Sequence, residues 1–170
     1  MVELKHPPMA EIESVFERAS GEVEIRDVHP REAAVVSVSM PPEGISEALG
    51  EAFGEVAGAM EQAGVGLAGP PFTRYLSFGP TIEAEAGFPV MRPAPDVGRV
   101  HPGRLPGGRV ASIVHIGPYD TLEATYTVLM QRLPAMGLQP LGPMWEIYWS
   151  DPEAEPDPAT WRTEILVPVG

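Results

Sequence analysis

There is no cysteine in this 170-residue chain, which excludes disulfides, thiolate zinc sites and cysteine nucleophiles. That absence suits a reducing compartment, so the cytoplasm is the expected location. No run of 18 apolar residues occurs, and the first residues, MVELKHPPMAEIE, hold no apolar h-region, so neither a membrane span nor a secretory leader is predicted. Base is scarce: 11 Lys and Arg stand against 24 Asp and Glu, a formal charge of -13. Such a field repels phosphate backbones and favours cations, which argues against direct nucleic-acid binding, although surface carboxylates kept for solubility give the same total. GxxxxGK[ST] is absent, and the Gly117-Pro118 and Gly142-Pro143 steps read as turns before elements rather than phosphate cradles, so no nucleotide cradle and no cofactor are expected. The four histidines (His6, His29, His101, His115) are scattered, and only His29-Pro30-Arg31-Glu32 approaches a ligand spacing; in a loop, that predicts no metal.

What is present is an ordinary globular mixture, 44% hydrophobic and 21% charged, in a length that suits one domain. Within it lies a duplication. Gly44, Gly64, Gly69, Pro70 and Tyr75 recur as Gly117, Gly137, Gly142, Pro143 and Tyr148, each displaced by 73 positions, from 117 against 44 to 148 against 75. Between the first two glycines, Leu49, Phe53, Val56, Met60 and Ala63 map onto Leu122, Tyr126, Leu129, Leu133 and Met136. Both series step by four, three, four, three, which is one stripe of an amphipathic helix. Gly64 and Gly137 are expected as C-terminal caps, Asp120 with Glu123 as a capping pair, Ser46 as the cap of the first helix, and Pro134 as a kink or shortening of the second.

β-Branched stretches at 34–40 and 110–116 precede the helices, and aromatic-rich ones at 72–78 and 144–149 follow them. Closing strands are read at 82–90 and 161–169, displaced by 79 because the acidic loop DPEAEPDP is inserted in the second copy. One more strand, 22–28, opens the first copy, with a weaker counterpart at 98–105, and a short helix is expected at 10–19. The predicted fold is α+β: duplicated β-α-β-β units related by a pseudo-twofold axis, with a curved antiparallel eight-stranded sheet carrying two main helices on one face. Residues 1–21 form an N-terminal extension, and 22–170 one domain: repeat one 22–90, linker 91–97, repeat two 98–170. Two copies burying their helical stripes leave a seam between them, the usual kind of place for a small molecule.

The strings VHIGPYDTL at 114–122, GPMWEIYWSDP at 142–152 and TEILVPV at 163–169 resemble the GyrI-like small-molecule-binding domains. These are also the effector-binding domains of AraC- and MerR-type bacterial transcription regulators. The resemblance covers about residues 22–170. It implies the duplicated fold, a groove between the repeats that takes lipophilic drugs or organic cations, and an acidic residue on the last strand among aromatic side chains. Glu164 is the matching residue. Regulators carry a helix-turn-helix as well, and only about twenty residues precede Glu22 here, so the chain is expected to be the stand-alone form.

A carboxylate in an apolar groove couples ligand charge to protonation, and aromatic walls attract cations without fixing one shape. The expected walls are Tyr148, Trp145, Tyr119, Tyr126, Phe53 and Tyr75, with Glu85 in the first-copy place of Glu164. Core packing competes as the explanation for Trp145, Phe53 and Tyr126, and an arginine salt bridge for Glu164. The leading expectation is a small-molecule binder that makes no bonds. A hydrolase that opens strained cyclopropane toxins with Glu164 and Tyr148, as some stand-alone relatives do, is the alternative. A protein-interaction module of gyrase-inhibitor type is a third reading, and a protein partner or a homodimer stays open.

Overall fold

The computed structural model describes residues 15, 18 and 21–170; the helix expected at 10–19 lies outside them except for Val15 and Arg18. In chain order the elements are β1 (Val23–Val28), β2 (Arg31–Met40), α1 (Ile45–Ala63), β3 (Phe72–Ser77), β4 (Ile82–Pro89), β5 (His101–Leu105), β6 (Gly108–Ile116), α2 (Leu122–Ala135), β7 (Trp145–Tyr148) and β8 (Arg162–Pro168). The α+β architecture of eight strands and two helices is therefore as read from the residues.

The chain divides into two compact units. Among the described residues, the first is His29–Gly107; the second takes 15, 18, 21–28 and Gly108–Gly170. Each contains four antiparallel strands and one helix, in matching order: β5-β2-β4-β3 in the first and β1-β6-β8-β7 in the second. These units differ from the sequence repeats in one respect, the placing of the outermost strands. β1 pairs with β6, from Val23 opposite Ile113 to Val28 opposite Gly108, and β5 pairs with β2, from Arg31 opposite Leu105 to Val35 opposite His101. The link from β1 to β2 explains the exchange. Pro30 holds His29 extended and supplies none of the positive-φ residues that a two-residue hairpin demands, so β1 does not fold back on its successor.

In the first unit α1 buries Ala52, Val56, Ala59 and Met60 over Ala34, Val36 and Val38 of β2 and Ala84 and Ala86 of β4. In the second, α2 lays Leu129 and Leu133 on Ala111 and Ile113 of β6 and Ile165 and Val167 of β8. Side chains alternate across strands, so 163, 165 and 167 of β8 face α2, whereas Glu164 and Leu166 face away. Register carries this to β7: Glu146 lies opposite Ile165 and Tyr148 opposite Thr163, which puts both on the α2 side.

The helix ends depart partly from expectation. Gly64 and Gly137 have φ of +70° and +73°, the left-handed turn that glycine makes at no steric cost. Neither Ser46 nor Asp120 caps a helix; each helix is entered through a 3-10 turn, Pro42–Gly44 and Tyr119–Thr121. There Gly44 N–H donates to Pro41 O and Thr121 N–H to Pro118 O, so backbone carbonyls meet the first free donors. Pro134 shortens α2 by one residue only, ending it at Ala135; the larger loss is at the start, Leu122 against the 118 that the displacement gives.

One strand glycine is fixed by close approach. A Cβ on Gly87 of β4 would lie 1.9 Å from the Ala34 carbonyl oxygen. Gly87→Ala is expected to lower stability by about 2 kcal/mol or more, read as a fall in the urea midpoint, because backbone rather than a pliant side chain must move.

Candidate functional site

The second unit gathers its chemistry on the α2 side of β7 and β8. His115, at the end of β6 and buried, anchors that region. Its Nε2 lies 3.0 Å from Pro118 O, which can only accept, so this nitrogen carries the proton; Nδ1 then accepts the Thr125 hydroxyl at 2.6 Å. The imidazole thereby ties β6 to the turn holding Tyr119 and to the first turn of α2, a role its scattered place in the sequence concealed.

On the same face, two strands away on β7, lies Glu146, 4% exposed. The Tyr126 hydroxyl donates to its Oε2, and the Tyr148 hydroxyl to its Oε1 at 2.7 Å. The Tyr119 ring meets Tyr148 edge-on at 5.8 Å between centroids and lies over Trp161 at 4.9 Å. Trp161 is held in turn by its indole N–H, which donates to Glu155 O at 2.6 Å in the inserted acidic loop. Partial burial, and then the charges of Glu146 and Asp151, push the Tyr119 phenol above its usual 10, so it is neutral at neutral pH. Two tyrosines thus bond one carboxylate, and a chain of ring contacts runs from Tyr148 through Tyr119 to Trp161.

Glu164 is elsewhere. It is fully buried on the opposite face, where Ser112 Oγ donates to Oε2 at 2.5 Å, Trp149 Nε1 donates to Oε1 at 3.1 Å, and Arg26 and Arg18 approach Oε2 at 2.9 and 3.5 Å. Arg18 also donates to Ser112 O and Glu22 O, which fastens residue 18 beside β1 and β6. One step of strand alternation separates Glu164 from the phenols: among the described residues Glu164 meets the Trp149 indole and two guanidinium groups, and the hydroxyls of Tyr126 and Tyr148 meet Glu146. Trp145, opposite Leu166, is likewise buried on the face turned away from α2. Tyr148 is brought together with Tyr126 and Tyr119, but its hydroxyl bonds Glu146 rather than Glu164.

The remaining candidates belong to the first unit. Phe53 packs edge-on against Phe88 at 6.1 Å, and Tyr75 stacks on Phe78 at 5.2 Å. Glu85 pairs with Arg74 at 3.4 Å on the face away from α1, as Glu164 pairs with arginine in the second unit. By the displacement of 73, Phe53, Thr73 and Tyr75 occupy the places of Tyr126, Glu146 and Tyr148, so the acid is found in one copy only. Glu146 was missed although the sequence carries a signal for it, an isolated carboxylate in an apolar strand with Tyr148 two residues on and hence on the same face.

Among the described residues, no group of three His, Asp or Glu is placed to hold a metal ion, and no helix is long and apolar enough to cross a membrane. A family model, the GyrI-like small molecule binding domain, matches residues 21–170. The chain belongs to the GyrI-like family. The fold agrees with solved structures of low identity. The EcmrR C-terminal domain is 20% identical with a TM-score of 0.78, covering 88% of this chain and 97% of that one. Against EcmrR in its complex with DNA the TM-score is 0.77 at 21% identity, and the match covers 87% of this chain but 57% of that one. A Listeria innocua protein described as a hydrolase is 17% identical with a TM-score of 0.66, covering 99% and 100%. SAV2435, solved bound to tetraphenylphosphonium, is 10% identical with a TM-score of 0.65, covering 88% and 94%. No curated protein matches the chain by sequence.

Glu164→Gln leaves two arginines facing a neutral amide in a sealed site. It is expected to lower unfolding free energy by about 3 kcal/mol in urea titration.

Proposed function

We propose that this GyrI-like domain binds a lipophilic organic cation at Glu146, against the rings of Tyr119, Tyr126, Tyr148 and Trp161. The observation that carries the reading is a buried carboxylate whose two oxygens accept tyrosine hydroxyls within a group of aromatic rings. Phenolic hydrogen bonds orient the carboxylate and favour its charged form. Each well-placed ring face adds about 0.5 to 2 kcal/mol of cation attraction without demanding one ligand shape. The net charge of -13 raises the local concentration of cations further. Tetraphenylphosphonium, a bulky apolar cation found on SAV2435, is the chemical type such a surface suits. Sensing, carrying or sequestering the compound all follow from binding alone.

The test compares two glutamates in one chain. Titration calorimetry with tetraphenylphosphonium should show Glu146→Gln weakening affinity about tenfold or more, with Glu164→Gln within about twofold of wild type. Loss of affinity on Glu164→Gln alone would return the site to the last strand.

Hydrolysis is the second reading, favoured by the 2.7 Å contact between the Tyr148 hydroxyl and Glu146 Oε1. A carboxylate that positions water beside a phenol that gives up a proton is a workable acid-base pair for opening a strained ring. Incubation with an electrophilic cyclopropane, followed by chromatography, should then show substrate loss that both Glu146→Gln and Tyr148→Phe abolish. Persistence of the substrate with the wild-type chain leaves binding as the whole activity.

A further inference from the structure

Next to the proposed cation site is a polar atom that the fold leaves unused. Thr163 of β8 is fully buried, and its hydroxyl has no hydrogen-bond partner among the described residues. The parity of β8 turns this side chain to the α2 side, the side that carries Glu146. Its direct cross-strand neighbours are His115 on β6 and Tyr148 on β7. Side chains so paired stand about 5 Å apart at Cβ. Both neighbours are polar, yet both are engaged elsewhere. The two nitrogens of His115 go to Thr125, Pro118 and Thr121, and the Tyr148 hydroxyl donates to Glu146.

A buried hydroxyl without a partner costs free energy that an isosteric valine would not, and β8 uses Ile165 and Val167 at the other positions of the same face. Packing alone therefore gives no reason for threonine here. Beside Tyr148, it has one if a bound molecule supplies the missing partner. We propose that Thr163 is a specificity-determining residue of the Glu146 site, selecting cations that carry a hydroxyl or carbonyl oxygen close to the charged centre. This inference rests on the cation-binding reading and narrows it: the carboxylate and rings take the charge, and Thr163 takes the oxygen.

A matched pair of probes separates the two statements. Hydroxyethyltriphenylphosphonium and n-propyltriphenylphosphonium share charge and shape, and differ by one hydroxyl in place of one methyl. The wild-type chain is expected to prefer the hydroxyethyl cation by roughly fivefold in calorimetric titration. Thr163→Val should remove that preference and keep the propyl cation within about twofold, with a melting temperature equal to or above wild type. Thr163→Ser should retain the preference. Equal binding of the two cations by wild type, or an equal loss of both in Thr163→Val, would overturn the role of Thr163 and leave the aromatic carboxylate site standing. Failure of wild type to bind either cation would overturn both.

Discussion

Successive side chains of a strand point to opposite faces, and in the second unit this alternation separates two glutamates by chemistry as well as by position. Glu164, turned away from α2, is closed off by Ser112, Trp149 and two arginines. Glu146, turned toward α2, is held by two phenols. A buried carboxylate needs compensation in either place, because its lost hydration is worth several kcal/mol. Guanidinium partners cancel the charge and tie β8 to β1 and to residue 18. Phenols hold the carboxylate oxygens by neutral hydrogen bonds. The same side chain is therefore a brace on one face and the candidate ligand anchor on the other.

Much of this was legible in the residues, for definable reasons. A displacement of 73 without a gap, carrying a four-three helical stripe between two glycines, fixes two helices and their end points, and Gly64 and Gly137 take the left-handed turn that the reading requires. Pairing of the outermost strands was not legible, since β1 with β6 and β5 with β2 are contacts between distant stretches that no local pattern encodes. The capping residues failed for a local reason: Pro41 and Pro118 set up 3-10 turns whose backbone carbonyls did the work assigned to Ser46 and Asp120. Choice between the glutamates turned on parity. Alternation puts Arg162, Glu164 and Leu166 on one face of the strand, but which face meets the helix follows from where Ile165 and Val167 pack, and that is a tertiary fact.

The duplication also shows how a symmetric fold acquires an asymmetric site. Phe53, Thr73 and Tyr75 match Tyr126, Glu146 and Tyr148 position for position, so the first copy keeps the aromatic pattern and lacks the acid and one phenol. Glu85 and Glu164, by contrast, keep the same role, each meeting arginine on the face away from its helix. An ion pair of this kind occurs in both copies, whereas the buried acid that meets phenols occurs in one. A single anionic centre suits a ligand with one positive charge.

Selectivity in a site of this make-up comes from few directional contacts. Ring faces and a carboxylate recognise charge and apolar bulk, which many compounds share, and distinguish poorly between cations of similar size. Hydrogen bonds discriminate more sharply, because a ligand that lacks the matching group leaves a buried polar atom unpaired. In the second unit the phenols of Tyr126 and Tyr148 already serve Glu146, and His115 serves the turn beneath Tyr119. Thr163 is the buried hydroxyl beside them with no partner among the described residues, so discrimination among cations falls to it.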